Sequence, residues 1–509
     1  VVGALDVGPC PFDASDIRFT LRAVEFSGAA SVSADRLAGA WEAARGREVP
    51  VTEICRIRDR AAEIMLDEGV LARVEIPPQE IKDGRVRLEV IEAYVAAVRV
   101  HGAAGPALRQ VRSYMRRLEG RPFALAEVQR RVLLASQIPG LRLNSTVRPS
   151  NAGRGAVELD VRVSRDPVDL VGAVQNFGSE AIGPWNGVLR ADLNGLTALG
   201  ERTSLVVSSS DGDEQRVVQL LQEVRLGNAG LVARGSVAWG RSRPGGVLEP
   251  LELESDSFVG LAEVEYPFIR QRRHNLRVSA GLEWIDQATT VFGGSAVLTD
   301  DRARVVFTRI EGDTQRVWGG HRAYASGGLQ LRKGLTALSA SQEGDANLSR
   351  LEADPQAAVV RGHARLEIAG TARLTFSAAG LTQWAAEPLV AYEALAIGNY
   401  TIGRGYDPAV VSGDRGAAVA LEVRFGGITL PRRVPASVFG FYDVAQVEAL
   451  DGGPGSDRTT LTSGGGGVRL GLTERVSLDL TYARPFDPPF AGGRRPDGRL
   501  LVNLVARLW

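Results

Sequence analysis

The chain has 509 residues, enough for more than one domain, and its 60 basic and 60 acidic residues cancel, so no overall charge points to nucleic acid. No apolar run approaches the roughly 18 residues that a membrane-spanning helix needs. A mean hydropathy of -0.04 fits a soluble protein and a transmembrane β-barrel equally, because barrel strands alternate lipid-facing apolar with lumen-facing polar residues.

Two cysteines, Cys10 and Cys55, lie near the start. They read either as a disulfide, which implies an oxidising compartment such as the periplasm, or as two unrelated buried thiols. Val1 is not preceded by a signal peptide, so the chain is either cytosolic or numbered after processing.

After an N-terminal segment, 1–16, residues 17–93 predict a β-α-α-β-β module. "IRFTLRAVEF" reads as a strand, "SADRLAGAWEAA" and "TEICRIRDRAAEIMLDEG" as helices, and "VLARVEI" and "RVRLEVIE" as strands. In the second helix Ile54, Ile57, Ala61 and Ile64 recur at helical spacing, with Thr52 as N-cap and Gly69 as stop. Residues 94–166 repeat the order: a strand "VAAVRVHG", helices "PALRQVRSYMRRL" and "FALAEVQRRVLLASQIPG", and strands "LRLNSTVRP" and "AVELDVRVSRD".

From 167 to 509 no amphipathic helix is legible. Segments such as "AAVALEVRF" and "RVSLDLTYARPF" alternate apolar with polar residues between Gly-, Asp- and Pro-containing turns. Val476, Leu478, Leu480 and Tyr482 define one face of such a strand and Ser477, Asp479 and Thr481 the other. A meander this long leaves edges that closure into a barrel removes, and about 21 residues per strand and connection predicts about 16 strands, an even number as in outer-membrane barrels. A soluble all-β domain is the alternative.

Catalytic and metal patterns are lacking. His101, His274, His321 and His363 are isolated, with no HExxH or CxxC spacing, no phosphate-binding loop and no nucleophile elbow. The run "GGGG" at 464–467 reads as a turn or a thin place in a strand. No enzyme, metal or cofactor is expected.

Within the all-β part, "IGRGYDPAVVSGDRG" interrupts the alternation: Gly403, Arg404, Gly405 and Tyr406, then Gly413, Asp414 and Gly416. With two β-α-α-β-β modules ahead of it, this pattern resembles the R-G-[FY]…G-D-x-G signature of the two-partner secretion transporters (TpsB type) of the haemolysin and filamentous-haemagglutinin kind. "QNFGSEAIGPWNGVLRADLNGL" (175–196) is similar to that family's first barrel hairpin, "FGFYDVAQV" to its F-x-D strand through Phe441 and Asp443, and Trp509 to its terminal insertion signal. Gly403 stands where many members have Val, and Asp443 is followed by Val-Ala rather than a small-Gly pair.

The resemblance implies two periplasmic polypeptide-transport-associated (POTRA) domains, α+β in class, followed by an outer-membrane antiparallel β-barrel of 16 strands. It implies export of an unfolded, TpsA-like partner protein without nucleotide hydrolysis, contact with outer-membrane lipid, and insertion by the barrel-assembly machinery. It also implies that the loop carrying Arg404 folds into the lumen and meets Asp443 on the wall. Residues 1–16 are too few for the plug helix and linker of many members, so the expectation is a version without the plug, or one that lost it with upstream material. The alternatives on the same scaffold are a membrane-protein insertase and a passive porin.

Overall fold

In the computed structural model, residues 9–12, 16–120, 122–451, 458–490 and 492–509 are described. The chain divides into two compact units, residues 1–166 and 167–509.

The first unit contains two α/β modules. In the first, β1 (Arg18–Thr20) pairs antiparallel with β3 (Glu48–Pro50), while β2 (Ala23–Ser27) runs parallel to β5 (Arg85–Glu92), whose other edge takes β4 (Ala72–Glu75). The single strand expected over "IRFTLRAVEF" is therefore two, broken at Leu21 and Arg22, because its halves join different sheets. The first expected helix is also shorter. α1 spans only Ala34–Ala38 and yields at Gly39 to a 3-10 turn, Glu42–Ala44. Glycine inside a helix costs about 1 kcal/mol relative to alanine. The bend still buries Leu37, Ala40 and Ala44.

Helix α2 (Glu53–Asp67) lays Ile54, Ile57, Ala61 and Met65 on the sheet, against Val86, Leu88 and Val90 of β5. Thr52 stands at its N-cap without a side-chain hydrogen bond, and Gly69 follows its end with φ +79°. Cys10 and Cys55 are joined by a disulfide that ties the N-terminal segment to α2.

The second module orders β6 (Tyr94–Gly102), β8 (Ala156–Arg165) and β7 (Leu141–Pro149) in one sheet beneath α3 (Leu108–Met115) and α4 (Leu125–Ser136). Leu71 and Ala93 of the first module belong to its apolar core. Arg154 reaches back to Glu89 (2.6 Å) and Glu75 (2.7 Å).

The second unit is a closed barrel of sixteen antiparallel strands. The first six are β9 (Val168–Gln175), β10 (Asn186–Asn194), β11 (Arg202–Ser210), β12 (Gln215–Leu226), β13 (Leu231–Ser242) and β14 (Glu254–Arg270). The next five are β15 (His274–Val291), β16 (Ala296–Trp318), β17 (His321–Gly334), β18 (Ala358–Ala369) and β19 (Leu374–Ala385). After the two short loop strands β20 (Leu395–Ile397) and β21 (Val411–Gly413), the wall resumes with β22 (Arg415–Leu430) and β23 (Val434–Glu448). It finishes with β24 (Thr459–Gly471), β25 (Val476–Pro485) and β26 (Arg499–Arg507).

The closing register of β26 on β9 runs only from Asn503↔Gln175 to Arg507↔Val171, the shortest in the wall. Trp509 ends beside Leu170, with which it exchanges backbone hydrogen bonds.

Connections at one end are short, as between β16 and β17, and at the other end long, as at 335–357 and 386–414. That asymmetry matches outer-membrane barrels, whose short turns face the periplasm. Along β22, Val419, Leu421 and Val423 are exposed, and along β23, Val438, Tyr442 and Val444. Transmembrane barrels carry such an apolar band on their outer side. The alternate positions, Phe439, Phe441, Asp443, Ala445 and Val447, are buried. Tyr482, on the apolar face of "RVSLDLTY", is likewise exposed on the outer side, while Asp479 points toward Arg469.

Candidate functional site: the loop between β19 and β22

The 386–414 segment is a hairpin on a hairpin: β20 and β21 pair from Leu395↔Gly413 to Ile397↔Val411 and carry the tip 398–410. Gly403 has φ +120°, a conformation closed to ordinary side chains. Gly405 lies so near the wall that a Cβ there would stand 2.8 Å from Pro485 N and from Ser463 Cβ. Between these glycines Arg404 is turned onto the polar face of β22 and β23.

Its Nε and Nη2 donate to the two oxygens of Asp443 at 3.0 and 2.7 Å, and its backbone N–H donates to the same carboxylate at 3.0 Å. Nη1 donates to Glu422 at 3.1 Å. Glu422 in turn receives two hydrogen bonds from Arg469, at 2.7 and 3.0 Å. Asp443 is 1% exposed, so its charge depends on these donors. The two-toothed geometry is what the guanidinium fork provides and an ammonium does not.

Both arginines also lie on aromatic rings, Arg404 3.6 Å from the centre of Phe441 and Arg469 4.1 Å from that of Phe439. The "GGGG" run is part of β24, not a turn, and pairs Gly465 with Phe441 and Gly467 with Phe439. A Cβ at Gly465 or Gly467 would come within 2.9 or 2.8 Å of those rings. The missing side chains make room for the platforms on which the arginines rest.

Tyr406 is buried beyond the glycine, with its hydroxyl 2.9 Å from Thr462 O and 3.0 Å from Asp487 O, and accepting from Asp487 N–H at 3.1 Å. Asp407 pairs with Arg499 of β26 at 2.7 Å. At the base, Gly413 and Gly416 lie against the end of β23. Asp414, fully buried, receives both Nη groups of Arg350 at 2.5 and 2.9 Å and the N–H groups of Leu389 and Leu450 at 2.8 and 2.7 Å. Arg350 belongs to the connection after β17 and also pairs with Asp451 at 2.8 Å.

Sequence reading singled out Arg404, Phe441 and Asp443 but missed Glu422, Arg469, Arg350 and Phe439. Among 60 acidic residues nothing in spacing marks Glu422; only its place opposite Phe441 across two strands does. Among the described residues no group of three or more His, Cys, Asp or Glu is arranged to hold a metal.

Two α/β modules ahead of a closed sixteen-stranded barrel, with a long loop tied to the polar face, define an outer-membrane transporter of the POTRA-plus-barrel class. The family model for the haemolysin secretion/activation protein ShlB/FhaC/HecB matches residues 153–470, and that for the ShlB-type POTRA domain matches residues 19–93; the chain belongs to this family. It is a family of two-partner secretion transporters, not of enzymes, with the barrel in the outer membrane and the POTRA domains in the periplasm.

The structure resembles CdiB from Escherichia coli with a TM-score of 0.80 at 14% identity, covering 99% of this chain and 94% of that one. CdiB from Acinetobacter baumannii follows with 0.70 at 15%, covering 99% and 93%. BamA from Haemophilus ducreyi lacking POTRA domains 1-3 gives 0.56 at 12%, covering 90% and 94%. At these identities the likeness concerns the fold alone. No curated protein sequence matches the chain significantly.

Proposed function

We propose that this protein recognises an unfolded partner protein in the periplasm through its POTRA domains and exports it through the barrel without nucleotide hydrolysis. The 386–414 loop lies in the lumen, held by Arg404 on Asp443. The observation that carries this reading is the contact of Arg404 with Asp443 and Glu422, which occupy the face of β22 and β23 opposite the exposed apolar row. A loop so seated has to be passed or displaced by a client, which is why an open, passive pore fits poorly.

Recognition falls to residues 70–165. The strand β7 is a sheet edge with largely exposed side chains, suited to accept an extended segment by strand addition, in which main-chain bonds supply affinity with little demand on sequence. Folding of a TpsA-like client outside the cell biases the direction of travel. The outer apolar row takes outer-membrane lipid, and Trp509 serves as the signal to the barrel-assembly machinery.

The test is Arg404→Ala. The barrel should still fold, shown by heat-modifiable mobility, and export should be lost; unimpaired export overturns the assignment. The short β26–β9 closure favours a second reading, an insertase that works through its seam. Deleting the gene separates the two: loss of one large secreted protein marks an exporter and identifies its client, whereas a broad fall in outer-membrane barrels marks an insertase.

A further inference from the structure

Beside Asp414 on Arg350, the loop has a further attachment on the β17–β18 side of its exit from the wall. Glu393 stands two residues before β20 and is 6% exposed. Its carboxylate receives Nε and Nη2 of Arg332 from β17 at 3.0 and 2.5 Å, and Nη2 of Arg361 from β18 at 3.1 Å. Its carbonyl oxygen accepts from Arg361 at 2.8 Å and from Gln383 of β19 at 2.9 Å. Arg332, itself 4% exposed, also donates to Glu283 of β15 at 2.7 Å.

Glu283, Arg332, Arg361 and Glu393 carry two charges of each sign, and only Glu393 comes from the loop. Without it two guanidinium groups share one carboxylate in a largely buried place, an arrangement with an electrostatic penalty that favours the loop staying where it is. In strand order β15, β17 and β18 lie on one side of the loop's exit, and β22, β23 and β24, which hold Arg404, Tyr406 and Gly405, lie on the other. Asp414 on Arg350 ties the returning leg of the loop to the β17–β18 side, next to β22; Glu393 ties the outgoing leg, before β20, so both legs have a defined course.

We propose that Glu393 is a positioning residue for export: seated on Arg332 and Arg361, it fixes the outgoing leg of the loop so that Arg404 meets Asp443, and the loop clears the lumen only when this attachment yields along with that of Arg404. This rests on the reading that the loop occupies the lumen. Each attachment then contributes separately to keeping the barrel closed, and the two act on the same event.

The experiment is single-channel conductance of the purified full-length protein in planar bilayers, with export measured in cells, for Arg404→Ala, Glu393→Gln, Glu393→Asp and the Arg404→Ala/Glu393→Gln double variant. Expected are a several-fold rise in time-averaged conductance for each single loss, a further rise for the double variant, reduced export for Glu393→Gln, and partial recovery of both readouts in Glu393→Asp. If Arg404→Ala raises conductance while Glu393→Gln matches wild type in both readouts, the role of Glu393 is overturned and the lumenal loop stands. If Arg404→Ala itself leaves conductance unchanged, the lumenal loop falls and this inference with it. Should Glu393→Gln not assemble, Arg332→Gln/Glu393→Gln removes one charge of each sign and leaves Glu283 with Arg361; wild-type conductance in that variant equally overturns the proposal.

Discussion

The two units solve the same problem with opposite solvation. In the POTRA unit, alternating strands bury their apolar face: Val86, Leu88 and Val90 of β5 disappear beneath α2, and the intervening Arg85, Arg87 and Glu89 stay toward water. In the barrel the same alternation turns inside out. Leu421 is 48% exposed on the outer side of the wall, while Asp414 and Asp443 are buried. An apolar core tolerates loss of contacts in proportion to area. A buried network of arginines and carboxylates instead responds to the loss of one member, because the remaining charge has no water to return to.

Four measurements break or sharpen that contrast. The largest effect is expected for Leu88→Ala, which opens a cavity under α2 and should destabilise the first POTRA module by about 2–5 kcal/mol. Limited proteolysis of the full chain would then cut residues 17–93 far faster while the barrel fragment persists; equal protection of that module in variant and wild type would contradict the packing described.

Cys55→Ser releases the N-terminal segment from α2, and a closed loop of 45 residues implies a loss of about 4 kcal/mol on the chain-entropy account. Thiol labelling with and without reductant provides the companion check, since labelling of the unreduced wild type would mean that the bond is absent.

Third, Leu421→Arg should cost about 2–4 kcal/mol near the bilayer midplane, read as a lower urea midpoint for the barrel in lipid vesicles. An unchanged midpoint would mean that this face does not meet lipid.

The smallest effect concerns Asp160 on β8. Partial burial would raise its carboxyl, but the hydrogen bond from His101, with the charges of His101, Arg148 and Arg162, holds it below its ordinary value of 3.8. A depressed carboxylate contributes stability that is present above the unfolded value and is lost as pH falls through the folded one. Wild type should therefore lose protection of the second module below about pH 4, and Asp160→Asn should lose part of it at neutral pH and show a flatter acid limb. Superimposable pH profiles would remove this contribution.

Much of the fold was legible because it rests on periodicity. The repeat of β-α-α-β-β and the lack of helical periodicity in the sequence after residue 167 follow from where apolar residues recur, and local recurrence survives without coordinates; the strand number followed from the length of that segment. Boundaries were less legible. Nothing in "IRFTLRAVEF" says that its two halves join different sheets, and Gly39 ended a helix that the pattern alone extended.

At the site, the glycines around Arg404 and the residues Phe441 and Asp443 were readable through a resemblance. Their surroundings were not. Glu422 and Arg469 lie 47 residues apart and meet only because the strands stand in one register. Arg350 reaches Asp414 across 64 residues, and Glu393 reaches Arg332 across 61, through loops that the closed wall brings together. The glycine run in β24 looked like a weak place and is space for two aromatic rings.

What the sequence determined by itself is therefore the sign of each face: which residues alternate, which carry charge, and where the chain has no Cβ. Which charge neutralises which was decided only by tertiary structure, because an ion pair depends on distance in space, and barrel closure sets that distance independently of separation along the chain.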